Sequence, residues 1–187
     1  SMIDVITSGC EWATNNFRTA FWYNGEIWEC GSARTDIFYK NPVPIKEKVY
    51  KFYGFEPDDR IIIYAPTFRN SKNLSCYNID YDRLIAAASH KWGGNWKVIV
   101  RLHPNMTEEQ EKLQFSSLIK NGLEYQEINE LIVASEILIT DYSSCMFDAM
   151  EDGKKVIFFA TDIAEYLKER GTYFQYEELP FPLTTSN

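Results

Sequence analysis

No stretch of this sequence is fit to cross a bilayer: none of its charge-free apolar runs approaches the roughly 20 residues that a membrane-spanning helix needs. The N-terminus has no basic region leading into an apolar core, so no secretory leader is expected, and Ser1-Met2 reads as a cloning remnant. Cysteine is sparse. Cys10, Cys30, Cys76 and Cys145 show no Cys-x-x-Cys spacing, which argues against zinc and disulfides and fits the reduced thiols of a cytoplasmic protein. Positive charge is also short: 19 Lys and Arg stand against 27 Asp and Glu, a net charge of -8. Such a chain lacks the basic surface that a phosphate backbone requires, so nucleic acid is not expected as a partner. A local phosphate pocket is still compatible with that balance. No internal repeat and no low-complexity segment is present, and no cluster of histidines marks a metal site.

What the chain does have is apolar content, 45%, with 16% aromatic residues over 187 positions, enough for a substantial core. Strand and helix signals alternate, which predicts a doubly wound, mostly parallel α/β sheet over residues 1–187, read as one domain. Ser8-Gly-Cys-Glu11 has capping-box spacing and opens a predicted helix to about Phe21, with Trp12, Ala13, Phe17, Ala20 and Phe21 as its core face. Ile27 to Cys30 reads as a strand, and Pro44 lies in the first turn of a helix closed by Gly54. Arg60-Ile-Ile-Ile-Tyr-Ala65 is the clearest strand; Asn70 to Asn78 reads as a mobile polar loop, and Asp80 caps a helix to Lys91. His90, at the end of that helix, suits the helix dipole. Gly93-Gly94 is a turn rather than a phosphate loop, since it precedes the strand Trp96 to Val100 and lacks a Lys-Ser/Thr ending. Thr107-x-x-Gln110 reads as a capping box for a helix to Lys120, followed by a weak strand at Gly122 to Tyr125 and a helix from Asn129 to Ala134. Ile137 to Thr140 and Val156 to Phe159 are further buried strands, and Ile163 to Arg170 is a last helix closed by Gly171. The end, Glu177-Glu-Leu-Pro-Phe-Pro182, reads as an unfinished element, as if the chain were cut there.

Three strand ends carry residues capable of chemistry: Pro66, Thr67 and Arg69; Arg101 and His103; and Asp141 through Ser144. In a parallel sheet these ends lie along one edge, where such folds bind ligands. Arg101 and His103 are two residues apart and so share one side of an extended chain. Ser143 and Ser144 suit either a helix cap or hydroxyl donors to a phosphate at a helix N-terminus. Arg34, in the loop Gly31-Ser-Ala-Arg34, suits either a surface charge or a phosphate clamp.

Tyr64-Ala-Pro-Thr-Phe-Arg69, Arg101-Leu-His-Pro104 and Thr140-Asp-Tyr-Ser-Ser144, in that order, resemble the motifs of the CDP-glycerol glycerophosphotransferase family, the teichoic acid polymerases and primases of bacterial cell walls. Ser8-x-x-Glu-x-Ala13 and Gly31-Ser-Ala-Arg34-Thr-Asp36 match family segments too, with Ala33 and Thr35 where the family pattern has proline and asparagine. The resemblance implies a GT-B fold of two domains, of which this chain is the C-terminal, nucleotide-binding half. It implies a donor pocket for CDP-glycerol or CDP-ribitol lined by Arg34, Pro66, Thr67, Arg101, Leu102, His103, Ser143, Ser144 and Asp148, with Arg69, Thr140 and Asp141 as further members. His103 would assist as charge develops on the transferred phosphate, no cofactor or metal is expected, and CMP would leave. A missing N-terminal domain would supply a general-base histidine, the site for a lipid-linked or polymer acceptor, and attachment at the inner face of the membrane. The full enzyme would be a homo-oligomer, and this piece alone inactive. Two other readings fit the fold: the nucleotide-sugar half of a UDP-dependent GT-B glycosyltransferase, and a non-catalytic, flavodoxin-like binding module.

Overall fold

A computed structural model describes residues 3–69 and 79–170. Cys76, Gly171, the polar stretch Asn70 to Asn78 and the acidic, proline-bearing end lie outside the described residues. The chain divides into two compact units, Ser1–Lys40 and Asn41–Asn187, and each is taken by itself.

The first unit is a parallel pair, β1 (Val5–Ser8) and β2 (Glu26–Glu29), joined by α1 (Glu11–Thr19) and followed by a 3-10 helix at Ala33–Tyr39. The capping-box reading fails here. Cys10 occupies the N-cap without a side-chain bond, and the Ser8 hydroxyl instead donates to Cys10 O at 3.0 Å and pairs with Thr14 Oγ1 at 2.5 Å. The expected core face of α1 is not buried either, since Trp12 is 59% and Phe21 71% exposed. Size is the reason: a two-stranded sheet offers too little surface to cover a helix face.

The second unit begins with α2 (Pro42–Tyr53), whose N-cap Asn41 accepts from Val43 N and whose C-cap Gly54 adopts φ 68°, the left-handed geometry glycine enters without cost. Its sheet comprises β3 (Asp59–Tyr64), β4 (Asn95–Val100), β5 (Ile119–Asn121), β6 (Ile137–Thr140) and β7 (Lys155–Phe158), in the order β5-β4-β3-β6-β7 and parallel throughout. Between them run α3 (Tyr81–Trp92), α4 (Thr107–Glu111), α5 (Ile128–Ala134) and α6 (Cys145–Glu151), and α7 (Ile163–Glu169) follows. The sheet is Ile- and Val-rich without alternation because both faces are covered. Ile61, Ile62 and Ile63 are all fully buried, each worth about 1.5–3 kcal/mol.

The order of the strands fixes where a ligand can enter. From β3 the chain steps outward to β4 and β5, then returns past β3 to β6 and β7. Right-handed crossovers in opposite directions put α3 on one face of the sheet and α5 and α6 on the other. The direction reverses between β3 and β6, so a crevice opens at their carboxyl ends.

Two elements differ from expectation. The helix after Thr107 stops at Glu111 rather than Lys120, because the Ser116 hydroxyl accepts from Leu118 N at 3.1 Å and Ile119 N at 3.2 Å and turns the chain into β5. The expected strand at Gly122 to Tyr125 is a 3-10 turn, Gly122–Glu124, capped by Asn121, whose side chain accepts from Leu123 N.

Candidate active site

The carboxyl ends of β4, β3 and β6 are neighbours, so the three expected clusters converge in the second unit. Arg34 belongs to the first unit, exposed in the 3-10 helix Ala33–Tyr39.

At the β4 end, Arg101 is held by backbone. Its Nη1 donates to Gly122 O at 2.5 Å and to Tyr125 O, and its Nη2 donates to Gln126 O at 3.0 Å. Carbonyls take three of its five N–H donors but cancel no charge, and among the described residues it has no carboxylate ion pair. Burial therefore lowers the pKa of this guanidinium, only partly offset by Tyr53 and Glu127. An anion at the two remaining donors would relieve that cost.

Leu102 is buried, and its N–H donates to Gln110 Oε1 at 2.9 Å. Gln110 is itself 1% exposed, and its Nε2 donates to Val100 O at 2.8 Å and Asn121 Oδ1 at 2.9 Å. The capping-box reading of Gln110 is thus corrected: with α4 only 5 residues long, the side chain turns inward to tie β4 to β5. His103 is exposed beside the β3 end, its ring centroid 5.7 Å from that of Phe68. Asn105 N donates to His103 Nδ1 at 3.2 Å, which assigns the proton of the neutral ring to Nε2.

At the β6 end, Ser144 is the N-cap of α6, yet its hydroxyl makes no cap bond. Ser143 Oγ accepts a long 3.4 Å bond from Cys145 N. The capping alternative is therefore weak, and the Ser143 hydroxyl is also within reach of the buried Cys145 thiol. Asp148, in the same helix, is 5% exposed.

The remaining candidates work inward. Thr140 Oγ1 donates to Ala65 O at 2.6 Å across the β3–β6 seam, and Pro66 is buried beside it. Asp141 Oδ1 accepts from Thr67 N at 2.7 Å and from Tyr142 N at 2.6 Å, while its Oδ2 accepts from Arg69 Nη2 at 2.8 Å. Arg69 also reaches Asp162, by Nε to Oδ2 at 2.6 Å and Nη2 to Oδ1 at 3.0 Å, and its Nη1 donates to Thr67 O at 2.7 Å. Burial pushes the Asp141 carboxyl up, against the pull of Arg69 and the Thr67 amide. Burial would raise Asp162 as well, but the bonds from Arg69 outweigh it and hold that carboxyl low. Asp162 was missed in the sequence, where it reads as an ordinary residue before a helix.

Asp80 and Asp82 have Asp-x-Asp spacing, but Asp80 caps α3 by accepting from Arg83 N at 2.9 Å. Among the described residues no group of three or more His, Cys, Asp or Glu is placed to hold a metal ion.

Comparison with known proteins identifies the family. The family described as CDP-glycerol:poly(glycerophosphate) glycerophosphotransferase matches residues 1–187. The teichoic acid poly(ribitol-phosphate) polymerase of Bacillus spizizenii is 31% identical over 165 residues, 84% of this chain and 26% of that protein. The teichoic acid poly(glycerol phosphate) polymerase of Bacillus subtilis is 31% identical over 185 residues, 96% of this chain and 25% of that protein. The solved wall teichoic acid polymerase TagF is similar at TM-score 0.80 and 29% identity, over 96% of this chain and 45% of that one. A variant of TagF has also been solved after a 30 minute soak with CDPG. The parallel sheets and flanking helices match this GT-B-like fold, and the chain spans less than half the length of each of these proteins.

Proposed function

The chain belongs to the CDP-glycerol:poly(glycerophosphate) glycerophosphotransferase family, and on that premise we propose that it is the donor-binding part of a transferase. It takes CDP-glycerol or CDP-ribitol, and the enzyme transfers polyol phosphate to a hydroxyl acceptor and releases CMP. The observation that supports this reading is the placement of Arg101 and His103 at the carboxyl end of β4, and of Ser143 and Ser144 at that of β6, on either side of β3, where the strand order switches direction.

Each residue type suits its task. Arg101 faces the diphosphate charge, and Ser143 and Ser144 donate to phosphate oxygens. Pro66, Thr67 and Leu102 shape the walls through backbone, and Asp148 accepts from a ribose or glycerol hydroxyl. The acceptor oxygen attacks the polyol-bearing phosphorus, the bond from that phosphorus to the CMP oxygen breaks, and the electron pair leaves with CMP. His103 donates from Nε2 as charge builds on the phosphate oxygens. Positioning and fixed positive charge supply the catalysis, so no metal is assigned to the donor site. Acceptor, general base and membrane attachment belong to polypeptide outside this chain, so the isolated chain binds donor without turnover.

The test is a thermal-shift titration with CDP-glycerol, CDP-ribitol, CMP and UDP-glucose, since a ligand specific to the folded state raises its stability by about 2.7 kcal/mol at 100 times Kd. Cytidine ligands should shift the transition, and the shift should vanish in Ser143→Ala/Ser144→Ala. A shift with UDP-glucose alone would favour the UDP-dependent reading. No shift with any nucleotide would overturn donor binding by this chain.

A further inference from the structure

Among the residues at the β3–β6 crevice, Arg69 and Asp141 resemble donor ligands in type, a guanidinium and a carboxylate behind a strand end. Their placement says otherwise. Arg69 is 5% and Asp141 2% exposed, and both are engaged with protein groups. Asp141 spans the seam: one oxygen takes the amides of Thr67, behind β3, and Tyr142, behind β6, and the other takes Arg69. Arg69 then passes the connection to Asp162, the residue that starts α7. Tyr142 closes the circuit, its hydroxyl donating to Asp162 Oδ1 at 3.0 Å while its ring stacks on Tyr166 of α7 at 3.8 Å between centroids. The Arg69 guanidinium lies 4.7 Å from the Tyr142 ring centroid and 4.9 Å from that of Tyr166.

We infer that Asp162, Arg69 and Asp141 form a positioning relay, in which docking of α7 sets the separation of Thr67 from Tyr142-Ser143 and hence the floor of the crevice. None of the three contacts the donor. The relay rests on the proposed donor site for its consequence, but not for its existence. Among the described residues, Asp162 reaches the crevice through Arg69 and Tyr142, so its effect on ligand binding travels through them. A fork is required at the centre: guanidinium serves two carboxylates and a carbonyl at once, which an ammonium cannot do in the same plane.

Two measurements on this chain test it. The first needs no ligand: backbone amide exchange in Asp162→Asn. Thr67 and Tyr142 N–H should exchange about tenfold or more faster, while the amides of β5 keep their rates, which separates a local loosening from loss of global stability. Unchanged exchange at Thr67 and Tyr142 would overturn the relay, as would equal acceleration in β5. The second is a double-mutant cycle with CDP-glycerol as the probe. Asp162→Asn and Asp141→Asn should each weaken binding about tenfold, and the double variant should be no weaker than Asp141→Asn alone. Full additivity would overturn the coupling. If the wild-type chain binds no CDP-glycerol, the donor reading falls, and the exchange result alone decides the relay. Arg69→Lys should reproduce the Asp162→Asn exchange pattern; rescue by lysine would overturn the need for a fork.

Discussion

Gln110 and Leu102 meet through one buried hydrogen bond of 2.9 Å, and the same glutamine holds Val100 O and Asn121 Oδ1. A single side chain therefore fixes the exit of β4, next to His103, against β5. Gln110→Met fills nearly the same volume but leaves the Leu102 N–H and Val100 O without their partner. We expect a loss of about 1–3 kcal/mol, the cost of a buried unsatisfied group, measured by urea unfolding. Wild-type stability in Gln110→Met would show that this tie is dispensable.

Glu130 provides a pH-dependent contribution with a definite sign. Lys48 Nζ bonds both its oxygens, at 2.8 and 2.6 Å, and the Tyr125 hydroxyl donates to Oε2. Burial raises this carboxyl, but the bonds from Lys48 and Tyr125 outweigh it, so its pKa in the fold lies below the ordinary value of 4.5. A lowered carboxyl stabilises the fold fully above its unfolded pKa and loses that contribution as pH falls through the folded one. Because Lys48 is largely exposed, the pair is worth up to about 1 kcal/mol. The stability gap between wild type and Glu130→Gln should thus be constant from pH 7 to about 5 and close below pH 4.5. A gap that widens in acid would contradict the assignment.

The large elements were legible because their signals are local. β3, β4 and β6 announce themselves as apolar runs, and Pro44, Gly54 and Asp80 punctuate helices through their own side chains or backbone. β5 was not legible. Its 3 residues, Ile119–Asn121, carry little pattern, and their register is held by the Val98 N to Leu118 O bond and the Ser116 turn. At the site, the strand ends were identified correctly, but residue type could not separate a ligand from an internal clamp. Arg69 suits either; its partner Asp162 stands 93 residues away, and only the fold brings them together. Similarly, the aromatic face of α1 has core spacing, but a two-stranded sheet cannot bury it.

The three described cysteines should react in two classes. Cys10 and Cys30 are exposed and Cys145 is buried against Thr140, with burial pushing its thiol up. Iodoacetamide applied to the folded chain should label Cys10 and Cys30 within minutes and leave Cys145 unmodified until denaturant is added, as read by peptide mass mapping. Rapid labelling of Cys145 in the native chain would mean that the β6–α6 junction opens readily.

Arg101 and Gly122 are in close contact at the candidate site, with Nη1 donating to Gly122 O at 2.5 Å. A Cβ on Gly122 would lie 2.7 Å from Arg101 Cβ and 2.9 Å from Val100 O, so alanine there must push the β5–α5 turn away from β4. We expect Gly122→Ala to cost about 1–3 kcal/mol by overpacking. It should also weaken CDP-glycerol binding, because displacing Gly122, Tyr125 and Gln126 frees the guanidinium they hold. Arg101→Lys separates charge from geometry: lysine keeps the cation but cannot reach three carbonyls and still present a donor pair to phosphate. If orientation matters, Arg101→Lys should lose at least about tenfold in affinity, near 1.4 kcal/mol, and approach Arg101→Ala. If charge alone matters, lysine should bind like wild type, and the carbonyl cage around Arg101 would then serve only the turn.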